Sequence, residues 1–132
     1  LGEALVIQKD SLKEDFRFMM KNRGAMLAKG FLAGIQFEEL FRDGLFFDLA
    51  AHANEMAAIL RDGIRKAGYS FVSDSHTNLL FPILPDELVD KLGKDFTFER
   101  SQKPDDSHTV IRLVTSWATP EKAVRDFLSA LA

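Results

Sequence analysis

The stretch 108–117, His-Thr-Val-Ile-Arg-Leu-Val-Thr-Ser-Trp, constrains the fold more than any other part of the chain. Its β-branched residues, Val110, Ile111, Val114 and Thr115, favour an extended backbone. Side chains in a strand repeat every second position, so Val110, Arg112 and Val114 share one face while Ile111, Leu113 and Trp117 share the other. Arg112 interrupts an otherwise apolar face. A desolvated guanidinium is costly unless an anion meets it, and its five donors in a planar fork suit a carboxylate held bidentately. Two anions fit: an Asp or Glu of this chain, forming a salt bridge, or the carboxylate of a ligand.

A length of 132 residues fits one domain or part of one, and 46% hydrophobic residues with 12 Phe are enough for a core. The 17 basic and 20 acidic residues nearly cancel, and no basic run carries interleaved aromatics, which argues against a nucleic-acid partner. No apolar run approaches the roughly 20 residues a bilayer span needs, and residues 1–7 lack the basic start and cleavage site of a signal peptide. The absence of Cys excludes disulfides, thiolate metal sites and a Cys nucleophile, and is compatible with a cytoplasmic protein. Because the sequence opens on Leu1, at what reads as a strand, a fragment of a longer chain is expected.

Residues 3–8 read as a short strand without a hairpin partner beside it. Ser11 and Glu14 have capping-box spacing, so a helix is expected from Ser11, with Phe16, Met19, Met20, Arg23, Met26 and Leu27 at helical steps. Six of the eleven residues 24–34 are Gly or Ala. Glycine costs a helix about 1 kcal/mol against Ala, so these small residues make sense where another backbone or a ligand comes close. Ile35, Phe37, Leu40 and Phe41 resume an apolar face that Asp43-Gly44 breaks. A helix is then expected over 45–67, with Leu45, Leu49, His52, Met56, Leu60 and Ile64 inward, Glu55, Arg61, Arg65 and Lys66 outward, and Gly68 as its C-terminal cap. Strands are expected at 69–73 and 79–84, around a turn at 74–77. Pro82 lacks a donor, which predicts an edge strand or a bulge. A short helix at 86–92, strands at 96–100 and 109–117 around a polar loop, and a last helix follow. Thr119 is expected to cap that helix, with Pro120 at its first position and Val124, Phe127, Leu128 and Leu131 inward.

The expected fold is therefore α+β: a mostly antiparallel sheet covered by helices, preceded by a strand and helices made to dock elsewhere. No Gly-x-Gly-x-x-Gly, Walker loop, His-Glu-x-x-His or Gly-x-Ser-x-Gly is present. His52, His76 and His108 lack metal-ligand spacing. His52 reads as a hydrogen-bonded packing residue and His76 as a solvated turn residue. Asp105-Asp106 reads as a solvated loop tip, and Ser107-His108 has no evident third member for a triad. Lys21, Arg23 and Lys29 remain as cations beside small-residue backbone, a setting suited to phosphate; plain surface charge is the alternative, and the preferred one for Lys21 and Arg23.

Three stretches carry a family resemblance: Lys21-Asn-Arg-Gly-Ala-Met-Leu-Ala-Lys-Gly-Phe-Leu-Ala-Gly34, His52-Ala-Asn-Glu-Met-Ala57 and Val110-Ile-Arg-Leu-Val-Thr-Ser-Trp117. In order, over essentially the whole chain, they resemble the C-terminal part of the threonine aldolase and aromatic amino acid β-eliminating lyase family. These are pyridoxal-phosphate enzymes of the aspartate-aminotransferase-like fold (fold type I). The resemblance implies that residues 1–44 end the large cofactor-binding domain and its connecting helix, and that 45–132 form the small C-terminal α+β domain. It implies a lyase cleaving β-hydroxy α-amino acids, threonine giving glycine and acetaldehyde. Pyridoxal phosphate is the implied cofactor, with the Schiff-base lysine upstream, so that this chain alone is inactive. Arg112 inherits the role of binding the substrate α-carboxylate. The family's Gly-Gly-Gly-Met-Arg reads Arg23-Gly24-Ala25-Met26-Leu27 here. Leu27 replaces the phosphate-binding arginine, and Lys29 is the substitute the resemblance suggests. A cytoplasmic homodimer or homotetramer, completed by the rest of the large domain, is also implied. The readings set against it are a non-catalytic dimerisation module and, among enzymes, the small domain of an aminotransferase or β-eliminating lyase.

Overall fold

The computed structural model describes residues 3–131. Leu1 and Ala132, to which the expected domain ranges extend and on the first of which the fragment expectation rests, lie outside the described residues. The contacts divide the chain into two units, one ending at Phe46 and the other beginning at Phe47.

In the first unit, residues 3–9 form no regular structure, and the strand expected at 3–8 is not made. An isolated extended segment leaves its backbone groups unpaired, and among the described residues of this unit no strand lies beside it to satisfy them. The helix expected from Ser11 is also corrected. A short 3-10 turn covers Asp10–Leu12, and α1 (Phe16–Asn22) starts only after Asp15, which has φ +52°. Gly24, at φ +69°, ends the helical path that Met26 and Leu27 were expected to continue. The long helix expected across the small residues is therefore two shorter ones, the second being α2 (Phe31–Phe41). A β-carbon on Gly24 or Gly34 would meet nothing within 4 Å and one on Gly30 only the nearby Leu27 carbonyl oxygen at 3.4 Å, so among the described residues no other element packs closely on these glycines. None of residues 3–46 is buried.

The second unit has a core. α3 (Leu45–Lys66), whose first two residues belong to the first unit, buries Met56, Ala57, Leu60 and Ile64 at the expected spacing, while Leu45 stays exposed. Strands β1 (Ser70–Phe71), β2 (Leu79–Leu80), β3 (Pro82–Pro85), β4 (Glu99–Gln102) and β5 (His108–Val114) form an antiparallel sheet. α4 (Asp86–Leu92) and α5 (Glu121–Ala130) supply Val89, Leu92, Val124 and Phe127 to the same core, against Leu80, Leu84, Ile111 and Leu113 of the sheet. Full burial of each such aliphatic side chain is worth about 1.5–3 kcal/mol.

β2 and β3 keep one register along β5, with Leu80 opposite Leu113 and Ile83 opposite Val110. They are one strand interrupted at Phe81, immediately before Pro82. Thr115 N–H donates to the Asn78 carbonyl. Bonded positions alternate along a strand, so 80, 82 and 84 also turn their backbone groups to β5. Pro82 has no N–H to give there, and the ladder breaks. It is neither on an edge strand nor at a bulge, as had been expected, because β3 lies between β1 and β5. The bulge is instead in β4, between Arg100 and Gln102. The last helix also differs at its start. Pro120 occupies the cap position, and the Thr119 hydroxyl accepts from Ser116 N–H at 2.8 Å without capping the helix.

Candidate carboxylate site

The alternation of β5 sends Ile111 and Leu113 into the core and leaves Arg112 and Val114 open on the opposite face. Trp117 lies past the end of β5 and is exposed. The expected apolar surroundings of Arg112 are corrected: its side chain is 45% exposed, because this face is not where the three helices pack. Register places Glu99 of β4 directly opposite, and Arg112 Nη2 lies 2.6 Å from Glu99 Oε2. Of the two anions open to Arg112 from sequence, the structure supplies an internal one. Arg112 and Glu99 are among the residues lining a cleft of about 430 Å³, together with Phe96, Phe98, Leu113 and Phe127. A half-exposed guanidinium can take a small carboxylate in place of its internal partner. Glu99 was missed in sequence because pairing across β4 and β5 depends on the exact strand ends and on the bulge.

Lys29 lies exposed in the turn before α2, in the first unit, whereas Arg112 belongs to the second. Its carbonyl accepts from Leu32 N–H at 3.1 Å. The neighbouring cleft is lined by Arg17, Met20, Met26, Leu27 and Phe31, with Arg17 as its cation and Lys29 outside the lining. Arg17 was not singled out in sequence, since one arginine on an apparent helix carries no signal. No phosphate cradle is built from these groups. The described residues do not by themselves assemble a site for pyridoxal phosphate.

The other polar groups have structural explanations. His52 Nε2 meets the Thr119 carbonyl at 2.8 Å, a packing role as expected. His76 is exposed, 3.7 Å from Asp74. Asp105, Ser107 and His108 do converge, but Ser107 Oγ and both Asp105 oxygens all approach the same ring nitrogen, Nδ1, at 3.1, 2.9 and 3.0 Å. A relay needs the acid and the nucleophile on opposite ring nitrogens, so this is a loop clasp. Asp105 is held down to about 2 by the Ser107 N–H and then by His108. Hydrogen bonds from Lys103, then Thr109, hold Asp86 below the usual carboxylate range. Among the described residues, no cluster of three His, Cys, Asp or Glu could hold a metal ion, and no helix is long and apolar enough to cross a membrane.

The fold thus defines an α+β domain, an antiparallel sheet packed against helices, with an ion-paired arginine on its other face. Among solved structures the chain is similar to the threonine aldolase of Leishmania major, at 45% identity and a TM-score of 0.88, over 92% of this chain and 36% of that one. The resemblance to the threonine aldolase family carried by the three motifs is borne out, and the fold is that of the C-terminal portion of such an enzyme. A serine palmitoyltransferase of Sphingomonas wittichii shares the fold alone, at 17% identity and a TM-score of 0.51, over 61% of this chain and 23% of that one. The chain therefore spans about a third or less of the structures it matches. No family model matches the sequence, nor does any curated protein.

Proposed function

We propose that this chain is the carboxylate-binding C-terminal part of a lyase that cleaves the Cα–Cβ bond of a β-hydroxy α-amino acid. Threonine would give glycine and acetaldehyde. The observation that carries the reading is the half-exposed Arg112 at the cleft, in a chain 45% identical to a threonine aldolase. Arg112 binds and orients the α-carboxylate. It moves no proton, since a guanidinium stays charged throughout.

Pyridoxal phosphate, which stabilises the carbanion left when a bond to the α-carbon breaks, is assigned to a site completed by the rest of the protein. This chain contributes at most the Lys29 contact to its phosphate, and by itself is inactive. In the same reading, residues 1–44 close the large domain and 45–132 form the small one. The absence of any buried side chain over residues 3–46 supports this, as do the exposed Phe18, Phe31, Leu32 and Ile35. Ordering a residue costs about 1–2 kcal/mol, so such a segment needs cover from outside itself. That cover is assigned to the remaining large domain and a second copy, in a cytoplasmic homo-oligomer.

The same exposed apolar residues favour a second reading, a non-catalytic dimerisation module. Incubation of the protein containing this chain with threonine and allo-threonine separates the two. Glycine and acetaldehyde are expected. Ammonia or a keto acid would indicate a β-eliminating lyase or an aminotransferase, and no turnover at all would favour the module.

A further inference from the structure

This inference rests on the carboxylate reading of Arg112 and concerns the control of that same site. Glu99 and Arg112 are register partners on adjacent strands, 2.6 Å apart at Oε2 and Nη2. Both side chains reach solvent, at 55% and 45% exposure, and both residues are among those lining the apolar cleft. A ligand α-carboxylate and the Glu99 carboxylate carry the same charge and need the same donors. Placed together on one fork they repel, since like charges within about 4–6 Å disfavour each other. An exposed ion pair of this kind contributes little to stability, so opening it costs little. The backbone of Glu99 is held by β4, which leaves its side chain free to swing out once Arg112 is taken.

We propose that Glu99 is a resident counter-ion that an incoming α-carboxylate displaces from Arg112. Glu99 thereby sets the affinity of the site: it neutralises the arginine between ligands and opposes binding by anions too weak to displace it. It is a positioning residue and not a catalytic one, because it acts through Arg112.

The test is calorimetric titration of the full-length protein with glycine, which carries the carboxylate and no side chain. Glu99→Gln keeps the size and removes the charge, and is expected to bind glycine about three- to tenfold more tightly. The gain should shrink as salt is raised. Glu99→Ala should shift affinity in the same direction, which guards against an effect peculiar to the amide. In an Arg112→Gln background, Glu99→Gln should change nothing, a coupling that a merely structural role would not show. Equal or weaker glycine binding by both Glu99 variants overturns the proposal, as does the same gain without Arg112. If glycine fails to bind the wild type, or binds Arg112→Gln unchanged, the Arg112 reading itself falls and Glu99 loses its role with it. If Arg112→Gln loses glycine while the Glu99 variants do not respond, only the counter-ion is refuted.

Discussion

Leu128 of α5 lies against the bare α-carbon of Gly63 in α3: a β-carbon there would stand 2.5 Å from both leucine methyls. The missing β-carbon leaves room for the Leu128 methyls, although alanine is the better helix former by about 1 kcal/mol. Gly63→Ala should therefore destabilise the protein by about 1–3 kcal/mol despite its propensity gain, because overpacking forces Leu128 off its position. Shortening the opposing side chain, in Gly63→Ala/Leu128→Ala, should make the added methyl harmless or favourable relative to Leu128→Ala alone. Urea unfolding of the four proteins reads this directly. A Gly63→Ala variant as stable as the wild type would show that α5 gives way freely.

Thr115 fastens the end of the sheet to the middle of α3. Its hydroxyl donates to the Ala53 carbonyl at 2.6 Å, and the residue is 3% exposed. Thr115→Val keeps the shape and removes the bond, with an expected loss of about 1 kcal/mol. Thr115→Ser keeps the donor and should lose less. If valine is tolerated better than serine in thermal unfolding, packing of the methyl and not the hydrogen bond holds this junction.

How far the fold could be read in advance follows from what each element depends on. α3 and α5 were legible because one face repeats over several turns and that face is what packs: Met56, Leu60 and Ile64, then Val124 and Phe127, are the buried residues. The strand at 3–8 and the unbroken helix from Ser11 were misread, with only Phe16–Asn22 helical within it, because alternation and capping spacing are local and none of residues 3–46 is buried to hold a strand or a long helix in place. Pro82 was placed at an edge on the strength of its missing donor, but a strand can also accept proline by breaking its ladder there. Arg112 was correctly given an anion and wrongly given a buried setting. A single strand shows which residues share a face, not which face the helices cover. Glu99 needed the bulge at 100–102 to come into register, which sequence does not reveal.

Acid should undo the loop clasp at 105–108. The Asp105 pKa lies at about 2 in the folded protein against an ordinary 3.8, lowered first by the Ser107 N–H and then by His108. A depressed folded pKa stabilises above the unfolded value, and that stabilisation is lost as pH falls from about 4 through 2. Asp105→Asn should therefore have a lower Tm than the wild type at pH 6, with the difference closing as pH approaches 2. A gap that stays constant across this range would mean that the ionised carboxylate contributes nothing.

The carboxylate role of Arg112 predicts an asymmetric response to its two nearest replacements. Arg112→Lys retains the positive charge but gives a point donor in place of a planar fork, so the ion pair with Glu99 can persist while bidentate recognition is lost. Hydrogen bonds to charged groups contribute about 1.5–3 kcal/mol. On this basis KM for threonine in the full-length protein should rise about tenfold or more in Arg112→Lys, and further in Arg112→Gln. If the arginine also fixes the orientation of the scissile bond, kcat should fall in both variants, because orientation matters most at the transition state. If instead it only binds, kcat measured at saturating threonine will stay near the wild-type value. A lysine variant with unchanged KM and kcat would leave Glu99 as the only anion that Arg112 serves.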